Sequence, residues 1–176
     1  MNPALPVTLF DRPLPEGYRD ELQALVAERP ADPARQAGSM LLFQIGGLRL
    51  ALPTRLASAV APVLHIARIP HRSGTVLLGL AAFRGEILPC CSLARLLDTP
   101  ETQTSTPRTL ILEESPGRLW AVPIDAVLGV RLAGAASAER APIAAQWVKE
   151  SFADEGGAYH LLDHEVLFRQ IGLATA

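Results

Sequence analysis

Three groups of side chains in this chain have the types and spacing to do chemistry. His160, Asp163 and His164 form the first: two imidazoles four residues apart with a carboxylate between them, a spacing at which one helix face presents a metal pair. Cys90 and Cys91 form the second, candidate thiol nucleophiles if a neighbour lowers a pKa. Arg84 is the third. It stands at the bend Arg84-Gly85-Glu86 between two apolar runs, Gly79–Phe83 and Ile87–Cys91. There its planar guanidinium is either held by backbone carbonyls and turned towards a partner, or an ordinary solvated turn charge. Asp125 follows a buried-looking strand and is either an arginine's partner across a strand or a turn carboxylate.

The elements that must position the first two groups argue against their use. His160 falls in a strand and His164 at the start of a helix, so the rings do not share a face. Asp163 has a simpler use as the cap of that helix, as Ser92 has for a helical turn over Ser92–Leu97. Neighbouring strand residues point to opposite faces, so one of the two cysteines faces inward and the other outward. No C-x-x-C spacing exists, and buried or half-buried thiols in a reducing compartment are expected. Gly46-Gly47 and Gly156-Gly157 lie in hairpins rather than at strand-to-helix junctions, and there is no nucleophile elbow, phosphate loop or metalloprotease helix. The expectation is a chain with no catalytic residue, no metal and no cofactor.

Composition narrows the class. With 176 residues the chain suffices for one domain or two small barrels sharing an interface. Hydrophobic residues make up 49% and aromatics only 5%, so the core must come from Leu, Val, Ile and Ala. A net charge of −2 speaks against nucleic-acid and anionic-membrane partners, which attract a basic field. A β-barrel nucleic-acid binder, the rival from another class, lacks the stacking platforms and basic groove it needs. No export signal and no run of about 18 apolar residues appear, so a cytoplasmic protein without membrane insertion is expected.

Residues 1–39 differ from the rest. Prolines recur there, and one short amphipathic helix, Glu16 to Glu28, lies between them; it docks either on the body of the protein or on a partner. From Met40 the pattern is strands: LLFQI, the Gly46-Gly47 turn, LRLALP, then an extended stretch to Ile66 that Pro62 places at an edge. DTPETQTSTP is a polar linker. Beyond it come RTLILEE, LWAVPID and AVLGVRL, two strands about the turn DEGG, and a helix over Asp163–Ile171.

The halves repeat one another. Pro53 falls on Pro123 at an offset of 70, and Val60 then falls on Val130; Ser92 falls on Asp163 at an offset of 71. A unit of about five short strands closing in a helical turn is therefore used twice, and five twisted strands curl into a small barrel. The expected fold is mostly β: a first barrel at about 40–99, a second at about 107–163 and a terminal helix at about 163–171. Two barrels side by side leave an apolar groove suited to a protein partner.

The duplicated strands, the ALP turn, the GLxxxRGxILP block around Arg84 and Gly85, VPIDAV and the LLD ending together resemble CheW-like coupling proteins over roughly residues 40 to 172. The resemblance implies two intertwined five-stranded SH3-like barrels and no catalysis. It implies an adaptor bridging a methyl-accepting chemotaxis receptor and the regulatory domain of a CheA-type histidine kinase, recruited from the cytoplasm to membrane arrays. A kinase-independent scaffold is the alternative. Arg84 and Gly85 match the family's Asn-x-Arg-Gly turn, as a protein-binding or turn-fixing pair. Leu56, Val60, Val127 and Val130 match the strands that line a receptor groove. The chain departs from the pattern at Ala82 for asparagine, Ala59 for glutamate and Ser92 for aspartate, which bears on partner identity more than on fold. FDRPLPEGYRDE resembles a segment preceding this domain in longer variants from surface-sensing, diguanylate-cyclase-linked pathways.

Overall fold

Glycine pairs and single apolar runs set the local structure. In the computed structural model, residues 38–70, 74–101, 107–132, 135–136 and 141–175 are described. The helix expected over 16–28 lies outside them. Strand β1 (Ser39–Ile45) turns through Gly46-Gly47, at φ of 58° and 82°, into β2 (Leu48–Pro53). Both central residues of such a tight hairpin need positive φ, which glycine adopts without a Cβ penalty. A 3-10 turn (Thr54–Leu56) leads into β3 (Ala57–Ala61) and the two-residue β4 (Ile66–Ala67). Then follow β5 (Leu77–Phe83), β6 (Glu86–Cys91) and the short α1 (Leu93–Leu96). The second half repeats the series: β7 (Arg108–Ser115), β8 (Arg118–Ile124), β9 (Ala126–Leu132), β10 (Ala135–Ala136), a 3-10 turn (Ala145–Trp147), β11 (Val148–Asp154), β12 (Gly157–Leu162) and α2 (His164–Thr175).

The strands form two six-stranded sheets, ordered β10-β11-β12-β2-β1-β9 and β3-β7-β8-β6-β5-β4. Replacing each strand by its counterpart six places along converts one order into the other. The fold is thus mostly β, two strand-exchanged units in which each unit's first hairpin pairs within the other's sheet. The contiguous division at 40–99 and 107–163 does not describe this arrangement, because β1 and β2 join β9–β12, while β7 and β8 join β3–β6. The five strands expected per unit gain a sixth of only two residues.

The repeat extends to irregularities. Leu161 pairs with Ala51 in the parallel contact β12–β2, and Cys90 with Ala121 in β6–β8, the same pairs displaced by 71 and 70. Ser58 on β3 and Leu128 on β9 are the unpaired residues of bulges 70 apart, and Leu78 and Lys149 those of bulges 71 apart. Bulges re-aim every side chain beyond them, so their retention keeps both copies in one register. Both helices are capped as expected: Ser92 Oγ accepts from Arg95 N at 3.3 Å, and Asp163 Oδ1 accepts from Glu165 N and Val166 N at 3.1 Å.

Alternation divides the apolar residues into three clusters. Phe43, Leu50, Leu52, Leu110, Leu112 and Val122 belong to a central core shared by both sheets and both helices. Their strand neighbours Leu42 and Ala51 join Phe152 and Tyr159 in one smaller cluster, and Ile111 and Ala121 join Cys90 and Leu88 in another. Strands covered on both faces read as continuous apolar runs, which accounts for LLF and LIL in the sequence.

Candidate functional site

Each sheet ends in a strand with one free edge, and two of these edges carry exposed aliphatic side chains. β3 is bonded to β7 alone, and β9 to β1 alone. Between them lies a cleft of about 320 Å³ lined by Val60 of β3, Arg108 of β7, and Ala126 and Val127 of β9. Val60 is 44% exposed and Val130, its counterpart in the repeat, 37%. Val127 is half-buried and rests on the central core. Edge strands ordinarily carry charge or are covered, so exposed valines at equivalent positions of two edges mark a surface with a use.

Of the four groove residues expected from sequence, the cleft brings together Val60 and Val127. Val130 lies on the exposed part of the same strand β9, pairing with Leu41. Leu56 is the correction: it is buried in the central core. The 3-10 turn Thr54–Leu56 interrupts the strand, and the bulge at Ser58 resets its alternation, so Leu56 and Val60 do not face the same way. Arg108 and Ala126 were missed. Arg108 is exposed and donates from Nη1 to Pro107 O at 3.1 Å, leaving a cation beside an otherwise apolar cleft. Its position as the first residue after the polar linker was the signal in the sequence. Val63 and Leu132, both more than 60% exposed, extend the apolar character beyond β3 and along β9.

The Arg84 turn is a second exposed feature. Arg84 and Gly85 have φ of 51° and 86°, a two-residue hairpin turn like the one at Gly46-Gly47. No backbone carbonyl among the described residues holds the guanidinium. It lies over the Phe83 ring, 5.1 Å from its centroid. The lower end of β6 leaves the core here: Glu86 and Ile87 are exposed, so the run Ile87–Cys91 is covered on both faces only from Leu88 onward.

The remaining chemical candidates are occupied in structural ways. His160 is buried in β12 with Nδ1 at 2.9 Å from Ser151 Oγ, and His164 opens α2 with Nε2 at 3.1 Å from Arg55 Nη2. Among the described residues no three His, Cys, Asp or Glu side chains gather as a metal site would need. Cys90 and Cys91 do point to opposite faces, but both faces are covered and both thiols are buried, in different clusters. Burial pushes Cys90 up to about 11, and burial together with the neighbouring Cys90 pushes Cys91 up to about 12, so neither is a thiolate nucleophile at neutral pH. Asp125 joins none of the ion pairs among the described residues. Its Oδ2 accepts from Gly46 N at 2.8 Å, tying the β8–β9 corner to the β1–β2 turn.

Comparison with known proteins follows the same lines. A family model described as CheW-like domain matches residues 39–172. Protein FrzA of Myxococcus xanthus is 32% identical over 99 residues, 56% of this chain; the match spans 61% of that relative's length. The crystal structure of the scaffolding protein TtCheW from Thermoanaerobacter tengcongensis is similar at a TM-score of 0.61, covering 72% of this chain and 84% of that one. At 18% identity this likeness shows the fold.

Proposed function

The chain belongs to the CheW-like domain family, and from that premise we propose that it is a non-catalytic adaptor. In this reading it couples a methyl-accepting chemoreceptor to the regulatory domain of a CheA-type histidine kinase. The observation that carries the reading is a pair of exposed valines at equivalent edge positions of the two exchanged units, Val60 in the cleft between β3 and β9 and Val130 farther along β9. A receptor's helical hairpin tip, with an apolar ridge and a carboxylate towards Arg108, has the complementary chemistry. Burial of apolar area contributes roughly 25 cal/mol per Å² before ordering costs. Signal passes as a shift in which kinase geometry the assembled complex favours.

Arg84 and Gly85 serve the second contact. A non-glycine residue in the left-handed region costs of order 1 kcal/mol or more, and asparagine or glycine would occupy the position at less cost. An arginine kept there, exposed and with only a ring beneath it, supports a role for its side chain. No helix among the described residues is long and apolar enough to cross a membrane, and recruitment to membrane arrays proceeds through the receptor in this reading. The test is a pull-down with receptor and kinase from the cells that express the chain. Val60→Arg and Val130→Arg should abolish receptor capture with an unchanged melting curve, and Arg84→Ala should weaken kinase capture. Unchanged receptor capture by both valine variants rejects the groove, and failure of any receptor or kinase to copurify rejects the coupling role.

A further inference from the structure

The duplication allows one end of the molecule to be compared with the other. At the end formed by the β1–β2 and β11–β12 turns, the chain closes on itself. Arg49 of β2 donates from Nη1 to Gly157 O at 2.8 Å, and its Nη2 lies 2.9 Å from Asp154 Oδ1. A Cβ on Gly156 would come within 2.7 Å of that same Nη2, so the guanidinium lies directly against the turn. At the equivalent end of the other unit, Leu119 stands in the place of Arg49, Phe83 in that of Asp154 and Glu86 in that of Gly157. The cation nearest this gap, Arg118, turns to Glu114 Oε2 at 3.0 Å and lies over the Trp120 ring, so among the described residues no guanidinium ties β8 to the β5–β6 turn as Arg49 ties β2 to the β11–β12 turn. What remains is an open, amphipathic groove of about 480 Å³ between β6 (Glu86, Ile87, Leu88, Pro89) and the start of β8 (Gly117, Arg118, Leu119, Trp120).

The rim of this groove is unusual in two ways. Ile87 on its wall is 71% exposed, the highest value of any large hydrophobic side chain among the described residues. Arg84 and Glu86 sit two residues apart on the adjoining turn, both exposed, and neither joins the ion pairs found among the described residues. The β5–β6 hairpin thus carries a cation, an anion and an aliphatic knob beside a groove whose walls are part apolar (Leu88, Pro89, Leu119, Trp120) and part charged (Glu86, Arg118). A two-fold interface needs such a self-complementary patch.

We propose that a second copy of this chain closes the groove through an isologous contact. Arg84 of each protomer meets Glu86 of the other, and Ile87 of each enters the other's groove. The closed end supplies the template: position 157, where the Arg49 guanidinium terminates within the chain, corresponds to Glu86, where the partner's Arg84 guanidinium terminates between chains. The contact itself stands on this geometry alone. Its regulatory consequence rests on the adaptor reading: the dimer covers Arg84, so self-association and docking through that turn exclude one another.

Sedimentation of the full chain between about 1 and about 100 µM tests this, a range that detects a micromolar dimer. The native chain should shift from monomer to dimer. Ile87→Arg should weaken association at least about tenfold, as loss of a central anchor does. Arg84→Glu should weaken it as well, and Arg84→Glu combined with Glu86→Arg should restore it, because the swapped pair still complements itself across the two-fold. Val60→Arg, which removes receptor capture under the adaptor reading, should dimerise as the native chain does. A native chain that stays monomeric, a dimer indifferent to Ile87→Arg, or a double swap no better than the single one overturns the proposal.

Discussion

Cutting the chain in its polar linker, between Glu101 and Pro107, separates the strand-exchanged fold from a pair of side-by-side barrels. Two contiguous barrels would each survive the cut. In the exchanged arrangement the fragment ending at residue 101 keeps β1 and β2 but loses β9 and β12, the strands on either side of that hairpin. Seven large side chains on the hairpin are buried in the intact protein: Met40, Leu41, Leu42, Phe43, Ile45, Leu50 and Leu52. At about 1.5–3 kcal/mol for each full burial, exposing most of them forfeits on the order of 10–20 kcal/mol. That equals or exceeds the roughly 5–15 kcal/mol by which a whole domain is stable. Neither fragment should therefore fold alone, and mixing the two should restore the native spectrum. Circular dichroism melts and amide NMR dispersion of each fragment are the assays. A cooperative melt and dispersed spectrum from the first fragment by itself would refute the exchange and the reasoning built on it.

Other perturbations read different parts of the structure. Gly79 has φ of 147°, and a Cβ there would stand 2.3 Å from Ala67 O, so Gly79→Ala should destabilise the β4–β5 pairing by about 1–3 kcal/mol in urea titration. The two thiols should resist a disulfide reagent at neutral pH until denaturant is added. Their folded pKa values of about 11 and about 12 lie above the ordinary thiol value of 9.0, so the unfolded chain gives up protons first. Stability is then complete below about pH 9 and falls as pH rises towards 11 and 12, an effect that Cys91→Ala should reduce. Asp154 is held below the usual carboxylate range first by its hydrogen bond from Arg49, and Asp154→Asn should speed hydrogen exchange at the β11–β12 turn while leaving the central strands protected. Lowering pH through the depressed value should have the same local effect in the native chain.

Much of this fold is legible locally. The Gly46-Gly47 turn, the caps Ser92 and Asp163 and the strand beginnings follow from residues that interact within a few positions of one another. The offsets of 70 and 71 announce the repeat. What the repeat conceals is the exchange: LRLALP and RLWAVPI are near-equivalent strands, and nothing in either says which copy of β6 or β12 it joins. The cysteines were half legible, since alternation places them on opposite faces, but a second cluster beneath Cys90 is a tertiary fact. Leu56 reads as a groove residue because its strand resembles one in related chains; it is instead the last residue of the 3-10 turn Thr54–Leu56 that follows Pro53, and that turn directs it into the core. Ile87 reads as buried because apolar runs usually are, and its exposure is visible only once the end of β6 is seen to overhang.

The exchange also governs how the protein can be made. On the ribosome the β1–β2 hairpin emerges early, yet its parallel partner is a long way downstream, His160 for Leu50. At about 5–20 residues per second that interval lasts on the order of 5–20 s; β9, the neighbour of β1, is made within it, but β2 waits to its end for β12. Pairings across so great a sequence separation form slowly even in the finished chain. The β2–β12 seam is therefore the last part of this sheet to close, although β2 is among the first strands made.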